Sequence, residues 1–100
     1  MAEFSGVCVY IEQRRGIIQE ASLQLLGEGR RLADKLNVSL TAFMIGYNIN
    51  SIVNEPIYYG ADKVVYVDDE VCKYYNIEVY TQALVELLLK YKPEIFLVAG

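Results

Sequence analysis

Histidine and tryptophan are both missing from this sequence, and cysteine and proline occur only twice each. Without imidazole, general base catalysis would have to rest on carboxylates, and a His/Cys metal cluster has no material. Cys8 and Cys72 lie far apart in the chain, so there is no C-x-x-C pair and nothing to build a zinc or iron-sulfur site. Cys8 falls in an apolar strand pattern and reads as a small buried hydrophobe, whereas Cys72 reads as more open and without a partner. No apolar run approaches the roughly 20 residues that cross a bilayer, so membrane insertion is not expected. Met1–Gly6 shows neither the basic start nor the long apolar stretch of a secretory signal, which makes the cytoplasm the expected compartment. Clustered positive charge is scarce too: only Arg14-Arg15 and Arg30-Arg31 come close, in a chain of net charge −4. Phosphate backbones need clustered Lys and Arg, so nucleic acid is not an expected partner and both pairs read as solvated surface.

What is present is apolar and periodic. The 54% of hydrophobic residues excludes a disordered chain, and 100 residues suffice for one domain. Val7–Ile11 is unbroken and reads as a strand buried on both faces, ending in a turn over Glu12–Gly16. An amphipathic helix with Ser22 as N-cap follows, carrying Leu23, Leu26, Ala33 and Leu36 and ending near Asn37. Leu40–Ile45, stopping at Gly46, and Val64–Val67, stopping at Asp68-Asp69-Glu70, read as two further interior strands. Between them, residues 49–59 offer only a weak helical pattern, which Pro56 interrupts. From Asn76 to Lys92 the helical pattern is the clearest, with Tyr80, Ala83, Leu84, Leu87, Leu88 and Tyr91 on one face. Pro93 stops it, and residues 95–99 read as a fourth buried strand. The alternation implies an α/β fold, a mostly parallel sheet with right-handed crossovers and helices on both faces.

Gly100 closes the fourth strand, at the point where an open α/β sheet normally leads into the loop that completes its ligand crevice. The hundred residues therefore read as the front part of a longer polypeptide. The crevice should gather Glu12, Gly46, Tyr47, Asp68 and Gly100, and Asp68-Asp69-Glu70 is the one carboxylate cluster, a run of acids that usually marks a solvated turn. Gly27 and Gly29 mimic part of a dinucleotide fingerprint but fall inside the first helix, where they would let it pack closely on the sheet. The nine tyrosines, seven of them Tyr58, Tyr59, Tyr66, Tyr74, Tyr75, Tyr80 and Tyr91, suit half-wet surfaces or a subunit interface.

The order and spacing of three stretches carry a family resemblance. IEQRRGIIQEASLQLLGEGRRLADKLNVSLTAFMIG from Ile11 to Gly46, YYGADKVVYVDD from Tyr58 to Asp69, and the closing KPEIFLVAG together resemble the α subunit of electron transfer flavoproteins. None of the three is a catalytic motif. The resemblance implies an adenine-nucleotide α-hydrolase-like, Rossmann-like first domain, of which residues 1–100 are the N-terminal part, packing against a β subunit. It implies FAD held by a later domain beyond residue 100, and electrons passed through it between a donor and a dehydrogenase such as an acyl-CoA dehydrogenase. The first stretch is closest to anaerobe-type α subunits, some of which take part in electron bifurcation. No catalytic residue, metal ligand or flavin ligand is thereby assigned within residues 1–100. Two other readings stand beside this one: a nucleotide-binding domain of the universal-stress-protein type, whose phosphate loop would follow Gly100, and a non-catalytic interaction module.

Overall fold

The computed structural model describes residues 4–99 and shows an α/β sandwich built on one parallel sheet. The elements run β1 (Val7–Tyr10), β2 (Gln13–Arg14), β3 (Ile17–Ile18), α1 (Glu20–Leu36), β4 (Leu40–Gly46), α2 (Glu55–Tyr58), β5 (Lys63–Asp68), α3 (Ile77–Tyr91) and β6 (Ile95–Leu97). A single 3-10 turn, Glu70–Cys72, precedes α3. The main sheet has the order β5-β4-β1-β6 with every pairing parallel. Parallel neighbours require crossovers, and the crossovers are the helices that the apolar periodicity marks out.

Alternation along the strands divides the interior into two cores. Val7, Val9, Ile11, Leu40, Ala42 and Met44 point to one face and meet Leu26 and Ala33 of α1 together with Ile49, Ile52 and Val53. Cys8, Phe43 and Ile45 point to the other and meet Leu87, Leu84, Leu88 and Tyr91 of α3. Helices thus cover both faces, and the α3 face expected from the sequence is the one that docks. Every residue of β4 is buried, because it is flanked by strands on both sides and helices on both faces.

Several local expectations are corrected. Ser22 is not the cap of α1; the helix starts a turn earlier, after Gln19, and the Ser22 hydroxyl accepts from the Glu12 backbone N–H at 2.9 Å. Pro56 does not interrupt a helix but lies in the first turn of α2, where its missing N–H costs nothing. The turn after β1 is a complete hairpin, β2 paired antiparallel with β3 around Arg15 and Gly16, whose φ angles of 54° and 81° have the signs of a type I′ turn. Of the two α1 glycines, only Gly29 is seated on the sheet; Gly27 has open space where a Cβ would stand. Cys72 is buried rather than open, at 2% exposure. Arg30 is not free surface: its guanidinium reaches Asp34 at 2.8 Å, Asp62 at 3.1 Å and the Gly60 carbonyl at 2.8 Å, tying α1 to the turn before β5. The expected ends of α1 and α3 hold, with Asn37 and Lys92 in the left-handed conformation as C-caps and Asn76 accepting from Glu78 and Val79 N–H as N-cap of α3.

Candidate functional site

The carboxyl ends of β1, β4 and β5 lead into three loops, and these loops surround a cleft of about 910 Å³. One wall is the hairpin, from Glu12 to Gly16; a second is Tyr47, Asn48 and Ser51 after β4; the third is the stretch Cys72–Tyr75 with Tyr80 at the start of α3. The cleft therefore stands where ligands of open α/β sheets bind, outside the carboxyl ends of the strands.

Each wall is fixed by specific bonds. Gln13 donates through its Nε2 to the Ile45 carbonyl at 3.1 Å and accepts from the Gly16 N–H at 3.0 Å, so the hairpin is pinned to the end of β4. A Cβ at position 46 would stand 2.5 Å from Gln13 Nε2 and 2.9 Å from Ile49 Cγ2, so a side chain there would push the Gln13 amide out of this bond. Asp68 receives the N–H groups of Asn48 and Ile49 at 2.7 and 3.1 Å, and Asp69 receives that of Val71 at 3.0 Å. The acidic run thus organises loop backbone. Tyr80 donates its hydroxyl to the Cys72 carbonyl at 2.9 Å, and Tyr75 leans on the Tyr80 ring at 5.0 Å between centroids.

Of the crevice residues expected from the sequence, Glu12 and Tyr47 line the cleft, and Gly46 lies behind it. Asp68 does not line it, its carboxylate being turned to the loop it anchors. Gly100 lies outside the described residues. Sequence reasoning missed Gln13, Arg15, Lys73 and Tyr75 as members of one site; the signal available was the Arg15-Gly16 pair, whose turn brings the hairpin back over β4. Among the seven tyrosines singled out, Tyr74, Tyr75 and Tyr80 belong to this cleft. Tyr58, Tyr59 and Tyr66 are exposed elsewhere, and Tyr91 packs against Phe43 at 5.8 Å.

Burial pushes the Cys8 thiol up to about 11. It raises Cys72 as well, assisted by Asp69 and Asp68, and it lifts the Tyr10 and Tyr80 phenols above their ordinary range. At neutral pH these groups are protonated and are poor nucleophiles or bases. Among the described residues no group of three His, Cys, Asp or Glu side chains could hold a metal ion. The glycines of the apparent fingerprint lie within α1 rather than at its start, Gly29 buried and Gly27 exposed, and the Gly16 N–H is already taken by Gln13, so neither stretch offers the free backbone amides of a pyrophosphate cradle. No helix of the described residues is long and apolar enough to cross a membrane.

The described residues thus form a mostly parallel α/β sheet with a loop-built cleft at its carboxyl edge. The chain belongs to the electron transfer flavoprotein family, since the family model described as electron transfer flavoprotein domain matches residues 7–100. The chain is 43% identical to Protein FixB of Clostridium saccharobutylicum, over 100% of this chain and 30% of that protein. It is 38% identical to the electron transfer flavoprotein subunit alpha of Clostridium acetobutylicum, over 99% of this chain and 30% of that one. The acryloyl-CoA reductase electron transfer subunit beta of Anaerotignum propionicum is 34% identical over 97% of this chain and 26% of its own length. The chain spans less than a third of the length of these relatives. The resemblance carried by the three stretches of sequence, and the α/β class, are thereby confirmed.

Proposed function

We propose that these residues are the N-terminal part of an electron transfer flavoprotein α subunit, in which this domain packs against a β subunit. FAD, held by a later domain beyond residue 100, passes electrons between a donor and a dehydrogenase. The observation that carries this reading is the alignment of nearly the whole chain with proteins named as electron transfer flavoprotein α subunits. That one relative is named as an electron transfer subunit of acryloyl-CoA reductase supports a partner acting on acyl-CoA esters, as an acyl-CoA dehydrogenase does. The clostridial relatives fit an anaerobe-type complex, bifurcating or not, working in the cytoplasm. A packing role agrees with the exposed rings of Tyr58, Tyr74 and Tyr75, at 82%, 77% and 72% exposure, since tyrosine is enriched where proteins meet.

The test is spectroscopic. Residues 1–100, purified and desalted, should be colourless, whereas a full α subunit copurified with its β partner should be yellow. Stoichiometric FAD on residues 1–100 would overturn both the placement of the cofactor and the packing role of this region.

A further inference from the structure

The loop that follows β4 holds a reactive backbone position. Asparagine is thermolabile where the backbone nitrogen of the next residue can reach its side-chain carbonyl carbon. Two conditions govern that reach. The next side chain must be small, because a β-branched neighbour is stiff and screens the carbon from the nitrogen. The next N–H must also be unengaged, since a nitrogen held on an acceptor is not free to turn toward the side chain.

The asparagines of the chain are Asn37, Asn48, Asn50, Asn54 and Asn76. Three of them precede a bonded amide: the Val38 N–H donates to the Ala33 carbonyl at 2.9 Å, the Ile49 N–H to the Asp68 carboxylate at 3.1 Å, and the Glu55 N–H to the Ile52 carbonyl at 3.1 Å. Asn76 precedes β-branched Ile77, and its side-chain oxygen is occupied by the Glu78 and Val79 N–H groups. Among the described residues Asn50 alone combines a small successor with an unbonded amide. It precedes Ser51, whose N–H donates to none of the described residues, and both residues are exposed. They form the centre of a turn closed by the Ile52 N–H on the Ile49 carbonyl at 3.0 Å, and both isoleucines are sunk in the core beneath α1.

We propose that Asn50 is a site of spontaneous deamidation through a succinimide, by which the chain acquires aspartate and isoaspartate at the rim of the cleft. This goes beyond the electron-transfer reading and does not depend on it. The Ser51 nitrogen, its proton taken by hydroxide, attacks the Asn50 side-chain carbonyl carbon; the new C–N bond closes an imide ring and the side-chain nitrogen leaves as ammonia. Water then opens the ring, and nothing is oxidised or reduced. Cleavage of the new bond leaves aspartate, whereas cleavage of the original peptide bond leaves isoaspartate, with the backbone running through the side-chain carbons and a free α-carboxylate. Ser51 lines the cleft beside Tyr47 and Asn48, so the products alter that wall. Each product adds one negative charge to a chain of net charge −4. Isoaspartate also lengthens the turn by one backbone atom while Ile49 and Ile52 stay fixed in the core, so the bond between them loses its geometry.

Prolonged incubation of the purified full chain at neutral and mildly alkaline pH tests the proposal, read by peptide mapping with electron-transfer fragmentation, which separates isoaspartate from aspartate. Conversion should appear at Asn50 before any other asparagine, release ammonia, shift the chain to a more acidic isoelectric form and quicken as pH rises. Ser51→Val should lose the conversion and Ser51→Gly should quicken it, with circular dichroism establishing that each variant is folded. In urea Asn37, Asn48 and Asn54 should gain on Asn50, because unfolding frees the amides that follow them. The isoaspartate form should melt at a lower urea midpoint than Asn50→Asp, which carries the charge without the added backbone atom. Conversion first at another asparagine of the folded chain, conversion of Asn50 in urea but not in the folded chain, or a rate unchanged in both Ser51 variants would each overturn the assignment. Equal midpoints for the isoaspartate form and Asn50→Asp would overturn the effect assigned to the turn.

Discussion

Two glycines of α1 make opposite predictions although they lie only half a turn apart. At Gly27 a Cβ would meet nothing within 4 Å, so Gly27→Ala gains helix propensity at no packing cost, about 1 kcal/mol. At Gly29 the same change meets Leu40 Cδ1 and Val9 Cγ2, both at 2.9 Å. Carbon atoms rest at about 3.5–4.0 Å, so both contacts must open by roughly 0.6–1 Å. Leu40 and Val9 are fully buried in close-packed surroundings, and overpacking of that kind costs about 1–3 kcal/mol. Set against the same propensity gain of about 1 kcal/mol, Gly29→Ala should range from near neutral to a loss of about 2 kcal/mol. The two variants should therefore differ by about 1–3 kcal/mol, with Gly27→Ala the more stable. Urea titrations followed by far-ultraviolet dichroism read this as a difference in midpoint at constant slope. Equal midpoints, or Gly29→Ala the more stable, would show that α1 does not rest on β1 and β4 at glycine distance.

Three further outcomes follow from the same packing. Leu87→Ala should cost about 2–5 kcal/mol in a denaturant melt because Leu87 is the buried anchor of α3, while Glu86→Ala, exposed beside it, should cost little; equal losses would reverse the assigned helix face. Ser22→Ala should lose about 1–3 kcal/mol by leaving the Glu12 N–H unpaired, and Ser22→Asp should be no milder since it buries a carboxylate; a rescue by Asp would restore the capping role. Asp62 accepts from the Leu40 N–H and pairs with Arg30, and these hold its carboxyl below the ordinary value. Its contribution is therefore present above the unfolded pKa of about 3.9 and is lost as pH falls through the lower folded value. The stability advantage of the parent over Asp62→Asn should accordingly shrink between neutral pH and about pH 3, and a difference independent of pH would remove Asp62 from that role.

The parts of the fold that were legible in the sequence are those where burial is uniform or strongly periodic. The unbroken apolar runs at Val7 and Leu40 are strands enclosed by neighbours and helices, and the α3 stripe faces the sheet, whereas the Val64 run, expected to be interior, forms β5 at the sheet edge and is partly exposed. The hairpin was not legible because β2 and β3 are two residues each, too short to show an alternation, and their register is set by Gln13 reaching β4 rather than by local pattern. Ser22 looked like a cap because serine often is one; its tertiary use, bonding the chain that leaves β1, has no local signature. Cys72 looked open because its neighbours Glu70 and Lys73 are polar, but the short 3-10 turn swings it inward. The site was legible in its position along the sheet and in Glu12 and Tyr47. Its cations and its tilted Tyr75–Tyr80 pair were not, because they come together only through the hairpin and the loop before α3.

The burial of β4 along its whole length bears on how the molecule opens over time. Because that one strand supplies side chains to both cores, neither layer can separate from the sheet without exposing it. Its amide hydrogens should be reached by solvent only when the entire domain opens, and should exchange with deuterium at the slow limit set by global stability. The hairpin wall of the cleft is a two-stranded ribbon whose turn is partly or fully exposed, with one side-chain bond from Gln13 to the sheet. Its amides should exchange orders of magnitude sooner through local opening, so the cleft can reshape on a fast timescale above a floor that stays shut.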